Sequence, residues 1–145
     1  MSIVAAAQAK STAPPARFFD RWVDHDTWSE WSPDTDWIHL DGPVIQGATG
    51  TLKPKGGPKV RFAITELAHN QTYVDTSRFP GARLIFGHLA TTTAAGTVVD
   101  VEVRIEGPLA LVWSAILGRG FRKSVVADLQ RLVRLVESRG TAVLT

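Results

Sequence analysis

A long stretch of the chain, residues 35–107, lacks helical periodicity and is divided by turn-forming sequences at fairly even intervals. These turn sequences, rich in Gly, Pro and Asn, lie at residues 41–43, 56–58, 69–70, 80–81, 95–96 and 107–108. Each can reverse the direction of the chain. The segments between them are rich in Val, Ile, Thr and Phe. Segments of this length joined by tight turns predict an antiparallel meander of about six strands.

The clearest strand is residues 99–106, in which apolar and charged residues alternate. Its apolar residues are Val99, Val101, Val103 and Ile105. A period of two predicts one buried face and one exposed face. Residues 59–67 and 82–91 alternate similarly, and the second segment places Phe86 and His88 on one face. A sheet with one apolar face needs a covering layer.

The cover is predicted at the C-terminus, where apolar residues recur every three or four positions over residues 109–136. This spacing predicts an amphipathic helix of up to about 30 residues, beginning after Pro108 and ending near Gly140. Its apolar stripe includes Trp113, Leu117 and Phe121. Gly118 and Gly120 each weaken the helix by about 1 kcal/mol relative to Ala. We therefore expect a bend or loosened turn there that divides the helix into two arms.

The N-terminal part supplies a further strand and two short helices. Residues 2–9 are apolar, but they lack the basic region and the length of a signal peptide, so we interpret them as a first strand. One helix is expected to begin near Pro14 and Pro15, and a second at residues 26–31 with Asp26 as its cap. The predicted order is strand, two short helices, six strands and one long helix.

Length and composition fit one ordinary globular domain over residues 1–145, with 44% hydrophobic and 21% charged residues. No apolar run approaches the roughly 20 residues of a membrane-spanning helix, so stable membrane insertion is not expected. A cytoplasmic location is the default expectation. The absence of cysteine excludes disulfides and thiolate metal sites.

The chain carries a mild basic excess, with a net charge of +2. The densest basic cluster is Arg119, Arg122 and Lys123, followed by Arg131 and Arg134. Asp128 and Glu137 interrupt this set. We interpret it as the solvated face of an amphipathic helix, and contact with RNA or an anionic surface is the alternative. No nucleic-acid partner is expected.

Several motifs follow one another in a recognisable order. They are WSEWSP at residues 28–33, DGP at 41–43 with Gly47, KPKGGP at 53–58, His88 in a late strand, and EGPL at 106–109. With them the chain resembles the START-like (SRPBCC) superfamily, which includes the birch-pollen-allergen fold and polyketide cyclase/dehydrase-type proteins, over residues 3–139. The resemblance implies an α+β helix-grip fold, in which a curved antiparallel sheet of about seven strands wraps around a long C-terminal helix.

A ligand cavity is expected between the sheet and this helix, because a strongly curved sheet cannot press evenly against a straight helix. The expected lining residues are Trp28, Trp31, Phe62, Tyr73, Arg78, Phe86, His88, Val101, Val103, Trp113, Leu117 and Phe121. The alternation in residues 72–79 does not tell which face points inward. An inward Asp75 beside His88 would form an acid/base couple, whereas an inward Arg78 would suit a carboxylate or an oxyanion.

His88 is the candidate catalytic residue. In an apolar pocket its imidazole could bind a ligand carbonyl or act as a general acid or base near neutral pH. The alternative is a core histidine satisfied by a neighbouring group. Trp28 and Trp31 could close one end of the cavity or anchor the short helices to the sheet.

Three functions are compatible with these features. The first is the binding of a small hydrophobic molecule of lipid, polyketide or aromatic type. The second is a polyketide cyclase/aromatase or dehydratase that works by acid/base catalysis. The third is a protein-interaction domain that uses Arg122, Arg131 and Arg134. The four histidines show no metal-binding spacing and no cofactor motif is present, so neither a metal nor a cofactor is expected. Oligomeric state and ligand identity stay open.

Overall fold

The computed structural model describes residues 2–144. Within this range seven strands, two α-helices and one 3₁₀ helix follow one another in the predicted order. The elements are β1 (Ser2–Ser11), α1 (Pro15–Val23), the 3₁₀ helix (His25–Glu30), β2 (Thr35–Leu40), β3 (Thr49–Pro54), β4 (Val60–Ala68), β5 (Thr72–Phe79), β6 (Ala82–Thr93), β7 (Gly96–Glu106) and α2 (Ala110–Leu144).

The strands form one antiparallel sheet in the order β1-β7-β6-β5-β4-β3-β2. β1 and β2 are consecutive strands in the sequence, yet they lie at opposite edges of this sheet. The segment that joins them therefore crosses the sheet, and α1 packs against β5 and β6 while the 3₁₀ helix packs against β2. With α2 on the same face, this is the predicted α+β helix-grip fold.

The other part of this face is covered by α2, which packs mainly along β1 and β7. β1 turns Ala5, Ala7 and Ala9 toward the helix, each opposite an inward-facing valine of β7. Such small side chains let the helix backbone approach the strand closely. Apolar side chains from the second half of α2 fill the contact, namely Val125, Leu129, Leu132 and Val136. The hydroxyl of Ser11 donates a hydrogen bond of 2.7 Å to the Glu137 carboxylate beside them.

The continuity of α2 differs from the expectation. The helix runs through Gly118 and Gly120 without interruption, and it continues past Gly140 to Leu144. The loosened turn and the end near Gly140 were therefore wrong predictions, whereas a bend at the two glycines stays a prediction. A cost of about 1 kcal/mol per glycine is small beside the hydrogen bonds and packing of a 35-residue helix. Fraying of residues 141–145 is a further expectation from the sequence, and the last of them, Thr145, lies outside the described residues.

The second short helix also begins differently from the prediction. It is a 3₁₀ helix that starts at His25, and Asp24 occupies its N-cap position without a side-chain cap. The proposed cap, Asp26, lies inside the first turn. The Thr27 hydroxyl donates a hydrogen bond of 3.0 Å to the Asp24 carbonyl instead, which supports the start of this helix.

Close packing between β3 and β4 requires glycine at residue 50. A Cβ at Gly50 would lie 2.6 Å from the His39 carbonyl oxygen and 2.8 Å from the Phe62 ring. We expect Gly50→Ala to lower the free energy of unfolding by about 1–3 kcal/mol, since the Phe62 ring must move. Urea denaturation measures this change.

The control is Gly42→Ala, because a Cβ at Gly42 would meet no atom within 4 Å. This variant should stay within about 0.5 kcal/mol of the wild type. Equal unfolding midpoints for the two variants would show that the contact between Gly50 and Phe62 does not constrain the sheet.

Candidate functional site

A row of polar side chains lies on the inner face of β5. Tyr73, Asp75 and Ser77 are buried, and Arg78 is exposed on the opposite face. Side chains alternate across a strand, so one strand cannot turn both sets inward. The inclusion of Arg78 among the lining residues was therefore wrong, and the question left open for residues 72–79 is answered in favour of Tyr73 and Asp75.

One end of this row is tightly packed around Tyr73. Its hydroxyl shares a hydrogen bond of 2.7 Å with Nε2 of His25, which lies 48 residues away in the 3₁₀ helix. His88 faces Tyr73 from β6, and its Nδ1 donates a hydrogen bond of 3.0 Å to the Tyr73 carbonyl oxygen. Phe62 packs beside His25, with 6.2 Å between the ring centroids. We call His25, Tyr73 and His88 the buried triad.

Tryptophans from α1 and the 3₁₀ helix cover the buried triad. The ring of Trp22 lies 5.3 Å from that of His88, and the Trp28 ring lies 5.8 Å from that of Tyr73. Trp28 donates a hydrogen bond of 3.0 Å from its indole nitrogen to the Trp22 carbonyl, and the Trp31 ring packs against that of Trp28 at an angle of 48°. Trp28 and Trp31 thus anchor the short helices to the sheet.

Burial keeps the triad uncharged near neutral pH. It lowers the pKa of His88 to about 4, although the hydrogen bond to Tyr73 opposes this shift. It also lowers the pKa of His25, against the opposing charges of Asp24 and Asp26. The pKa of the Tyr73 hydroxyl is raised, mainly by burial and further by Asp75. His88 is therefore neutral and a weak base, and it has the hydrogen-bonded geometry of a core histidine.

Asp75 differs from the triad because its carboxyl has no hydrogen-bond or ion-pair partner among the described residues. The residue is 5% exposed and faces Ile64 on β4 and Phe86 on β6. Burial raises the pKa of this carboxyl from its ordinary value of 3.8 to about 7. The carboxyl oxygens of Asp75 are not among the fully buried, unpartnered side-chain atoms of the described residues, so they keep a small accessible surface. A largely buried carboxyl that no protein group bonds is costly to ionise, and it is open to a ligand.

Beyond Asp75 the inner face is only partly covered. The inward-facing apolar residues here are all partly buried, namely Phe79, Phe86, Trp113, Leu117 and Phe121. Two perpendicular ring contacts bridge the strands and α2, with centroid distances of 5.3 Å for Phe86–Phe121 and 4.9 Å for Phe79–Trp113. We call this group of five partly exposed residues the aromatic gap.

Val101 and Val103 form the floor beside these groups. Both are buried on β7, where Val101 lies opposite His88 and Val103 lies opposite Phe86. The structure thus brings the predicted residues together as two neighbouring groups, the covered triad and the aromatic gap. Asp75 lies between them on β5, two residues from Tyr73 along the same face.

Two concave spaces of about 550 and 340 Å³ lie beside α1. They share His69, and the smaller one is lined by Phe19, Val23, Val44 and Leu67 as well. No residue of α2 lines either space. A cavity enclosed between the sheet and α2 therefore stays a prediction, and the aromatic gap is its candidate location.

Among the described residues, no three His, Asp or Glu side chains are grouped closely enough to hold a metal ion. Within residues 2–144, no helix combines the length and the apolar character needed to cross a membrane.

The titration of Asp75 gives a testable consequence for stability. The carboxyl holds its proton up to pH about 7 in the folded state, whereas it ionises near pH 3.8 when unfolded. The wild type therefore loses stability as the pH rises from about 4 to 7. An asparagine side chain cannot ionise, so Asp75→Asn removes this loss. The difference in free energy of unfolding between Asp75→Asn and the wild type should therefore grow in favour of the variant by about 4 kcal/mol from about pH 4 to pH 7. Urea denaturation at several pH values measures the difference.

His88 titrates within the same range, and its lowered pKa costs stability as the pH falls. Because His88 is present in both proteins, its contribution cancels in the difference. Parallel pH profiles for the wild type and Asp75→Asn would show that Asp75 ionises normally in the folded protein.

Solved structures share this architecture. The di-domain ARO/CYC StfQ from the steffimycin biosynthetic pathway aligns with a TM-score of 0.78 and 13% identity, covering 96% of this chain and 52% of StfQ. This chain therefore spans about half the length of StfQ. MLL2253 from Mesorhizobium loti aligns with a TM-score of 0.69 and 14% identity, and the alignment covers 92% of this chain and 96% of MLL2253. Ara h 8.0201 aligns with a TM-score of 0.66 and 18% identity, and the alignment covers 92% of this chain and 96% of Ara h 8.0201.

Likeness at these identities shows the fold. A comparison with curated protein sequences gives no match. The family described as "Polyketide cyclase / dehydrase and lipid transport" matches residues 2–137, which is almost the whole chain. Because this match covers more than half of the sequence, the chain belongs to this polyketide cyclase/dehydrase and lipid transport family.

Proposed function

We propose that the chain binds a small hydrophobic molecule of lipid, polyketide or aromatic type in the aromatic gap. The observation that carries this proposal is the buried, unpartnered carboxyl of Asp75 beside a partly exposed aromatic wall. Small-molecule sites are mostly apolar and contain a few polar groups that orient the ligand. Asp75 and the aromatic gap together have this composition.

The protonation of Asp75 indicates which polar group the ligand carries. With a pKa of about 7, its carboxyl is present in both forms near neutral pH. The protonated form donates a hydrogen bond to a ketone, and the ionised form accepts one from a phenol or an amine. Ser77 lies two residues further along the same face and offers a second hydroxyl. The expected ligand is therefore an apolar skeleton with one or two oxygen or N–H groups.

Binding of the fluorescent probe N-phenyl-1-naphthylamine tests this site, since the probe is aromatic and has one N–H donor. Asp75→Leu should weaken binding about tenfold, because it removes the acceptor of that N–H. Leu117→Trp should weaken it similarly by filling the gap. Fluorescence titration measures both dissociation constants.

Arg78→Gln is the matched control, because Arg78 lies on the same strand but on the outer face. Its dissociation constant should equal that of the wild type. If Asp75→Leu, Leu117→Trp and Arg78→Gln all bound the probe equally well, the aromatic gap would not be the binding site. Native mass spectrometry of the freshly purified protein would identify the chemical class of a co-purifying ligand.

A second candidate function is acid/base catalysis on a polyketide. The pKa of about 7 favours it, because an acid works best when its pKa lies near the operating pH. Asp75, rather than the neutral core residue His88, would then hold the proton. In a dehydration the carboxyl would protonate the departing hydroxyl, which leaves as water, and the resulting carboxylate would take the proton from the adjacent carbon as the C=C bond forms. In a cyclisation the enolate carbon would attack the ketone carbon, and the carboxyl would protonate the ketone oxygen as the C=O π bond breaks.

The catalytic role of Asp75 predicts a specific kinetic pattern with a poly-β-ketone substrate. Asp75→Asn should lower the turnover number at least about 100-fold, whereas the wild type should lose activity above pH 7 as the acid form disappears. His88→Gln keeps a donor for the Tyr73 carbonyl and should retain activity within about tenfold. Full turnover by Asp75→Asn would exclude this mechanism and leave the binding function standing.

A further inference from the structure

The first half of α2 exposes an apolar face to solvent. Leu111 is 79% exposed, Ile116 is 63% exposed and Val112 is 52% exposed. With Ala115 they lie within about 140° of arc on one side of the helix, since successive residues are about 100° apart. Monomeric proteins seldom expose several large aliphatic side chains together, and such patches mark interaction sites.

Two cations continue this face along the helix. Arg119 and Lys123 lie one and two turns after Ala115, on the same side, and both are exposed. Neither has a hydrogen bond or an ion pair among the described side chains. The exposed α2 face is defined here as Leu111, Val112, Ala115, Ile116, Arg119 and Lys123.

Acidic residues are absent from this part of the sequence. Between Glu106 and Asp128 the chain contains Arg119, Arg122 and Lys123 but no Asp or Glu. Arg122 is also exposed, and its guanidinium makes only a long contact of 3.5 Å with the Val4 carbonyl. The helix therefore offers a run of aliphatic side chains followed by a cluster of positive charge.

We propose that the exposed α2 face docks on an anionic lipid membrane. Interfacial helices combine apolar side chains that enter the headgroup region with cations that meet lipid phosphates, and this face has both on one side. Charge complementarity favours an anionic surface over a neutral one. Protein interfaces are usually anchored by aromatic residues and Arg at their centre, whereas the apolar part of this face is wholly aliphatic. The contact is peripheral.

Docking in this orientation also has a consequence for the ligand site. The opposite side of the same helical turns carries Trp113, Leu117 and Phe121, which border the aromatic gap. A membrane under the exposed α2 face would therefore lie one helix diameter from the gap. The docking proposal itself rests on the exposed face and does not depend on ligand binding.

Co-sedimentation of the full chain with vesicles tests the proposal. One set contains phosphatidylcholine with 30% phosphatidylserine, and the other contains phosphatidylcholine alone. We expect binding to the anionic vesicles that weakens in 0.5 M NaCl. The double variant Arg119→Glu/Lys123→Glu should bind at least about 25-fold more weakly, because each cation near an anionic surface contributes about fivefold. The double variant Leu111→Ser/Ile116→Ser should also bind the anionic vesicles at least about tenfold more weakly.

The matched control is Lys55→Glu/Arg78→Glu, which makes the same change in net charge at exposed positions away from α2. Its affinity for the anionic vesicles should fall by no more than about fivefold. Circular dichroism melts check that all variants fold, as expected for substitutions at exposed positions. The N-phenyl-1-naphthylamine titration of the same variants reports the ligand site separately, so failure of docking and failure of ligand binding are distinguishable.

Three outcomes would overturn the proposal. The first is wild-type affinity in the charge-reversed α2 variant, and the second is equal binding of neutral and anionic vesicles. The third is a concentration-dependent dimer that Leu111→Ser/Ile116→Ser abolishes while vesicle binding is absent, because a second copy of the chain would then cover the face. Loss of anionic binding in both α2 variants but not in the control supports membrane docking.

Discussion

The antiparallel pairing of β1 with β7 is the constraint on which the rest of the structure depends. It places the first strand at one edge of the sheet, while β2 begins at the other edge. The connecting segment must then cross the sheet, which brings α1 over β5 and β6 and the 3₁₀ helix against β2. The same pairing turns the small inward residues of β1 toward α2, so the long helix packs over the edge of the sheet formed by β1 and β7.

Two separate covers on one sheet explain where the candidate site lies. The short helices seal the end of β5 that carries Tyr73, and α2 is seated mainly on β1 and β7. Asp75 falls between these covers, where no protein group of the described residues bonds its carboxyl. The polar row is therefore satisfied at one end and unsatisfied in the middle, and an unsatisfied group facing an apolar gap suits ligand recognition. The exposed side of α2 follows from the same geometry, since a helix resting on the sheet edge leaves its far side uncovered.

Sequence reasoning located the strands because alternation is a local property of each segment. Residues 99–106 and 82–91 show one apolar face each, and the structure places Val101, Val103, Phe86 and His88 inward as expected. Residues 72–79 carry polar side chains on both faces, so alternation could not orient that strand. Its orientation comes from pairing with β6, which sets Tyr73 opposite His88 and turns Arg78 to solvent. One feature of the sequence did indicate the orientation of this strand. Asp75 lies two residues from the aromatic Tyr73, so an inward Tyr73 places Asp75 inward as well.

The sequence by itself determined the order of elements, the α+β class and the apolar faces, because periodicity and turn chemistry act between residues close in the chain. Only the tertiary structure decided that His25 bonds Tyr73, that His88 is a satisfied core residue and that Asp75 is left without a partner. The hydrogen bond between His25 and Tyr73 joins residues 48 positions apart in the chain, and the one between His88 and Tyr73 joins residues 15 positions apart. Their distances are set by strand register and by the path of α1 across the sheet, which no local pattern records. The physical reason is that burial and pairing, which fix the charge and chemistry of a side chain, are properties of the assembled fold.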